Sequence, residues 1–318
     1  MYLKYDDWLD IICNEYLHDF VKRGGAAVKF VVPMEEIEEK QVFDPLRQCS
    51  EKEDYLFVDV NAISTKIHMI DKLFHEVARQ IDWDELAHSF VRKLFMKNGY
   101  ELPIHREDFD LENIAAINKR EEKFLRKDLN SWLEKEIFHD FEMSQEFRIA
   151  MIRLCLDQLN PAGPSPFLSN AVKEWLRGEL RLISTLKEAL IFQKIARHNA
   201  RHMLFSLSHW LRINGKSGLV VMLDIRRYLT STRSKNPDDG FFYSIPALLD
   251  AYEVLRQFID GTDEMEGMLF IVLASRDFLN DDRRGLNRYD ALKLRIWDEV
   301  RDKRKQNPLA SLVRLSTN

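Results

Sequence analysis

The chain has 318 residues, 45% of them hydrophobic and 31% charged, with 47 Lys and Arg against 52 Asp and Glu. This composition supports a real core and excludes disordered and collagen-like classes. Eleven Gly and nine Pro are too few for an all-β sandwich, and no apolar run approaches the roughly 20 residues that a membrane helix needs.

In chain order, residues 5–23 place Trp8, Ile11, Ile12, Tyr16 and Phe20 at helical spacing and stop at Gly24-Gly25. No basic flank leads into an apolar stretch at the start, so no signal peptide is expected. AAVKFVVP is a buried-strand pattern. The acid-rich MEEIEEKQVFDPLRQCSEK then reads as a helix, and DYLFVDVNA (54–62) as a second strand. Helices are expected at about 66–80 and 83–98, and residues 107–158 are charged and helical in pattern. NPAGPSPFL (160–168) reads as a loop or hinge, and more helix is expected from 169 to 213. GLVVMLDI (218–225) is a central strand, IPALLDAYEVLRQFI a helix and GMLFIVLAS (267–275) another buried strand, followed by a basic, helical C-terminal part. Alternating strands and helices predict an α/β fold with a parallel sheet. A large helical insertion at about 83–213 interrupts it within a single domain, 1–318.

Cys13, Cys49 and Cys155 are odd in number and scattered. They fit neither a disulfide framework nor a zinc knuckle, which predicts a reducing, cytoplasmic setting. Residues 1–60 carry seven Lys and Arg against fourteen acids, whereas residues 191–235 carry nine against Asp224 alone and residues 283–318 ten against four. The basic segments suit a phosphate-rich partner or an acidic protein face. The candidate backbone-phosphate contacts are Arg197, Arg201, Arg212, Lys216, Arg226, Arg227, Arg233, Lys235, Arg301, Lys303, Arg304 and Lys305.

A nucleotide-binding α/β core needs a glycine-rich loop after its first strand, a Lys for the phosphates and a hydroxyl for magnesium. That position reads VKFVVPMEEIEEKQ here: a proline and four glutamates stand at the end of the strand and just beyond it, and the glycines, the hydroxyl and a lysine at the phosphate-loop spacing are absent. Asn214-Gly215-Lys216-Ser217 has the last letters of such a loop but precedes a strand, so it reads as a turn. Asp224 ends an apolar strand, where an acid would hold a magnesium-bound water, but the next residue is Ile225 and not a second acid. Ser275 ends the following strand. Arg283 and Arg284 are candidates for an arginine finger. His198 and His202 share a helix face without a glutamate between them, so no zinc site is expected.

WLRGE (175–179), NARHMLFSLSHWLRINGKSGLVVMLD (199–224), FLNDDRRGLNRYDALKLRIWDEV (278–300) and EYLHDFVKRGGAAVKFVV (15–32) resemble the BREX-type phage-defence ATP-binding proteins of the BrxD-like group. The resemblance implies an AAA+-type P-loop NTPase core in a multi-protein anti-phage system acting on DNA. It assigns Asp224 to the Walker B aspartate, Ser275 to a sensor-like position, and Arg283 and Arg284 to the paired arginines. It leaves little room for a lid or winged helix after residue 285.

With the phosphate loop gone and Ile225 replacing the second acid, the chain is expected to be an inactive pseudo-ATPase with no cofactor. It would serve as an adaptor for a partner ATPase, nuclease or helicase, in an oligomeric complex and in contact with the DNA backbone, with no membrane role. One alternative is an active enzyme using ATP and magnesium at Gly24, Gly25, Asp224 and Ser275. The other is a protein scaffold without DNA contact.

Overall fold

The computed structural model describes residues 2–34, 39–159, 166–297 and 307–316. The chain divides into two compact units, a sheet unit of residues 1–77 and 211–318 and a helical unit of residues 78–210.

In chain order the elements are β1 (Leu3–Lys4), α1 (Tyr5–Ile11) with a π-helical continuation (Ile12–Phe20), β2 (Ala26–Pro33), α2 (Glu39–Lys52), β3 (Tyr55–Asn61) and α3 (Ile70–Arg79). The helical unit follows with α4 (Trp83–Lys97), α5 (Leu111–Ile117), α6 (Glu122–Leu133), α7 (Gln145–Asp157), α8 (Pro166–Arg177) and α9 (Ala200–Ile213), whose last residues pass into the sheet unit. The chain closes with β4 (Gly218–Asp224), α10 (Ile245–Asp260), β5 (Met268–Leu273), α11 (Asp277–Asn280), α12 (Asp290–Ile296) and β6 (Leu312–Ser316). No helix among the described residues is long and apolar enough to cross a membrane.

The described strands form one six-stranded parallel sheet in the order β1-β6-β2-β5-β4-β3. This is an α/β fold with a P-loop NTPase-like core. Strands β4 and β5 are buried along their whole length, as parallel strands covered on both faces must be. Alternation along each strand sends Val31, Val220, Met222, Leu269, Ile271, Val313 and Leu315 to the face covered by α1, its π-helical continuation and α2. There they meet Trp8, Ile12, Leu17, Val42 and Leu46. On the opposite face the Phe258 ring of α10 stacks on Phe270 at 4.5 Å, and Phe278 stacks on Phe30 at 5.8 Å.

Three expectations change. Residues 169–213 are not one helix: α8 ends at Arg177, Gly178 takes φ +73°, and a 3-10 turn over Ile183–Ala189 precedes α9. The C-terminal part is not helical throughout, since β6 inserts beside β2. Cys13 and Cys49 form a disulfide, because the π-helical segment and α2 pack on the same sheet face although 36 residues separate them. Cysteine usage therefore no longer argues for a reducing compartment. Residues 160–165 of the expected hinge lie outside the described residues, and Pro166 opens α8.

The helical unit is capped as its sequence prescribes. Asp82, Asp110 and Ser144 accept from the backbone N–H groups of Glu85, Asn113 and Phe147 at 2.9, 2.7 and 3.3 Å. Within the unit, Phe90 packs on Trp210 at 4.6 Å, and His209 Nε2 meets Asp140 at 2.8 Å.

Lys29 is the exception inside an apolar strand. It is 4% exposed, its ammonium donates to the Leu309 and Ala310 carbonyls at 2.6 and 3.3 Å, and it lies 4.4 Å from the Tyr16 ring centre. Burial lowers its pKa to about 8. Between that value and the ordinary lysine range the unfolded chain binds more protons than the folded one, so this lysine makes stability rise with pH. Chemical denaturation of Lys29→Met across pH 8 to 10.5 is expected to show that rise removed, with stability at pH 7 equal to the parent or higher.

Candidate functional site

In open parallel sheets the ligand crevice lies beyond the carboxyl ends of the strands, between neighbours whose outgoing connections run in opposite directions. Here those neighbours are β2, whose connection runs toward β3, and β5, whose connection crosses back to β6. The crevice edge is formed by Pro33 at the end of β2 and Met34 after it, Asn61 at the end of β3, Asp224 at the end of β4 and Ser275 just past β5. Residues 35–38 of the segment after β2 lie outside the described residues.

Asp224 stands in register with Asn61 and Leu273 and is 2% exposed. Its carboxylate is closed from within the chain. Arg226 donates its backbone N–H to Oδ1 at 2.9 Å, its Nε to both oxygens at 3.0 Å and its Nη2 to Oδ2 at 2.6 Å. Asn61 Nδ2 adds a donor at 3.4 Å. The guanidinium fork thus covers the oxygens that a hydrated magnesium ion would use, and charge-assisted bonds of this kind are the strong ones. The neighbouring Ile225 is fully buried and offers no proton acceptor. Among the described residues no group of three or more His, Cys, Asp and Glu is placed to hold a metal ion.

The paired arginines part company. Arg283 is exposed. Arg284 is 5% exposed, with Nη1 donating to the Tyr228 carbonyl and Nη2 to the Tyr243 carbonyl, both at 2.7 Å, and its guanidinium 5.2 Å from the Phe242 ring centre. Burial lowers its pKa. Arg284 therefore clamps the turn after β4 to the loop before α10, and its guanidinium is not presented to a neighbouring molecule. Tyr228 and Tyr243 stack at 3.9 Å beneath the clamp, and Tyr228 Oη meets His68 Nδ1 at 2.9 Å. Ser275 is half-buried, and its carbonyl accepts from Phe278 N–H at 3.0 Å as α11 begins.

Gly24 and Gly25 need correction as site positions. They precede β2, whose eight residues put roughly 26 Å between them and the crevice edge. Their glycines have local causes: Gly24 takes φ +103°, and a Cβ on Gly25 would meet the Phe20 ring at 2.6 Å. Asn214-Gly215-Lys216-Ser217 lies at that same far edge as a helix-to-strand turn, with Gly215 and Lys216 N–H donating to the Arg212 and Leu211 carbonyls.

Several candidate phosphate contacts are held inside the chain. Arg212 bonds Glu266 and the Lys22 and Ser217 carbonyls, Lys216 bonds Asp54, and Arg227 bonds the Phe241 carbonyl. Arg226 is the partner of Asp224. Arg233 and Lys235 are exposed in the sheet unit, while Arg197 is exposed and Arg201 half-buried in the helical unit. Arg301, Lys303, Arg304 and Lys305 lie outside the described residues. Neither Asn61 as a donor nor Arg226 as a counter-ion was expected from the sequence, although an arginine two residues beyond a strand-end acid is a readable signal.

A family model described as BREX system ATP-binding protein BrxC/D matches residues 112–317. No curated protein and no solved structure gives a match. The matched span contains Asp224, Ser275, Arg283 and Arg284, and β2 lies before it.

Removing Arg226 leaves a buried carboxylate unpaired, so Arg226→Ala is expected to lower the unfolding free energy by about 3 kcal/mol. In Asp224→Ala the half-exposed guanidinium is free to turn to solvent, and the loss is smaller. A denaturation double-mutant cycle is expected to give the Asp224→Ala/Arg226→Ala pair a deficit well below the sum of the singles.

Proposed function

The chain belongs to the family of BREX system ATP-binding proteins BrxC/D, and from that premise we propose that it is a subunit of a multi-protein defence complex that keeps the P-loop NTPase-like sheet without hydrolysing ATP. The observation that carries this reading is the closed carboxylate of Asp224, neutralised by Arg226 at 2.6–3.0 Å. Two sequence features support it. The segment after β2 offers Pro33 and four glutamates in place of a phosphate loop, and Ile225 stands where a base would polarise the attacking water. Each charge-assisted bond missing from a phosphate cradle is worth roughly 1.5–3 kcal/mol, and the missing base about 10²–10⁴ in rate.

As a non-hydrolysing subunit the protein acts as an adaptor for an ATPase, helicase or nuclease of the same system. Of the arginine pair, the exposed Arg283 would be the one to serve a neighbour's site in trans. The exposed Arg233 and Lys235 would meet a DNA backbone, without sequence preference and with strong salt dependence.

The deciding experiment is thermal-shift and calorimetric titration with Mg-ATP, Mg-ADP and a non-hydrolysable analogue. A nucleotide at 100 times its Kd stabilises a protein by about 2.7 kcal/mol, so binding at this edge would be plain to see. The expected result is no shift and no heat up to millimolar nucleotide. Stabilisation that disappears in Asp224→Ala would overturn the reading and establish an ATP site at the strand-end acid.

A further inference from the structure

The segment between α8 and α9, residues 178–199, is largely irregular but firmly held. Leu186, Ala189, Ile191 and Ile195 are buried, and Trp175 Nε1 donates to the Gln193 carbonyl at 2.9 Å. Lys194 Nζ donates to the Arg181 carbonyl at 3.3 Å, which brings the two ends of the segment together. The segment nonetheless turns three large apolar side chains outward: Leu182, Leu190 and Phe192 are each more than half exposed. Leu190 does so from a left-handed backbone, φ +61°, which is uncommon for a bulky residue. Residues 180–199 carry four Lys and Arg against Glu188 alone. Of these, Arg181, Lys187 and Lys194 are exposed, with no carboxylate paired to them among the described residues.

Scattered apolar side chains are ordinary on a surface, but three on one pinned segment, rimmed by unpaired cations, mark a contact with another macromolecule. Leucines gain nothing from a phosphate backbone, whereas an acidic face with apolar side chains answers both the cations and the leucines. The chain carries such a face at its other charge extreme. Residues 1–15 hold four acids against Lys4. Those acids, Asp6, Asp7, Asp10 and Glu15, are exposed on α1 and its π-helical continuation, with no cation paired to them among the described residues. Tyr2, just before the helix, adds a half-exposed ring. We propose that the strip of one copy seats the acidic face of α1 of a second copy, with the cations against Asp6, Asp7 and Asp10 and the apolar side chains against Tyr2. The two patches differ, so the contact is heterologous and repeats from copy to copy, closing into a ring or extending as a chain. The inference stands apart from the non-hydrolysing reading, because none of the residues named at the crevice edge takes part.

Sedimentation velocity of the full chain from micromolar concentration upward, at low and high salt, tests it. The parent is expected to self-associate, and more weakly as salt screens the charges. Lys187→Glu/Lys194→Glu and Asp6→Lys/Asp10→Lys are each expected to weaken association about tenfold, since like charge then faces like. Mixing the two variants is expected to restore association, because the reversed strip of one meets the reversed helix of the other. Phe192→Ser is expected to weaken it at both salt concentrations. Every changed residue is exposed. Melting curves identify a variant that fails to fold, and Arg181→Glu for the strip or Asp7→Lys for the helix then takes its place. A parent that stays monomeric at every concentration in low salt would overturn the proposal. So would a mixture that associates no better than either variant alone. Loss of duplex DNA binding in the strip variant, with sedimentation unchanged, would also overturn it and assign the strip to nucleic acid.

Discussion

A carboxylate that is 2% exposed at the end of a fully buried strand must be neutralised, and the source of the neutralising charge governs the crevice edge of this protein. In an ATP-hydrolysing relative of this architecture that duty would fall to a magnesium ion held with the nucleotide. Here Arg226, two residues along the chain, supplies a fixed cation whose fork reaches both oxygens. Because this counter-ion is part of the chain, the carboxylate is paired in the ligand-free fold. The turn after β4 is organised around it: Ile225 N–H still bonds the Leu273 carbonyl of β5, and the chain then curls so that Arg226 faces back.

The same principle recurs at two other buried cations. Arg284 is answered by the carbonyls of Tyr228 and Tyr243, and Lys29 by those of Leu309 and Ala310. Each joins segments far apart in sequence, tying the turn after β4 and the approach to β6 onto the sheet. Because carbonyls carry only partial charge, burial wins and lowers the pKa of both groups. Arg283, beside Arg284, is exposed, which divides a pair that is uniform in sequence into one architectural and one accessible arginine.

The family match spans 112–317 and so takes in most of the helical unit together with β4, β5 and β6. Strand β2, after which a phosphate loop would stand, precedes the match. The shared part contains the strand-end acid and the arginine pair, and the glutamate-rich segment after β2 belongs to the part outside it.

By itself the sequence determined the α/β class and strands β2 to β5, and it carries no glycine-rich phosphate-loop pattern after β2. Each of these is a local pattern: an uninterrupted apolar run between turn residues, or a set of residue types at fixed spacing. Strands β1 and β6 were not legible, because two and five residues become strand only through pairing with a distant neighbour. The tertiary structure alone decided the Cys13–Cys49 disulfide, the burial of Arg284 and the placement of Gly24 and Gly25 at the far edge of the sheet. The physical reason is common to all three. Charge and composition count a side chain equally wherever it lies, whereas its chemistry depends on which strand end it occupies and on which carbonyl, carboxylate or thiol the fold brings within bonding distance.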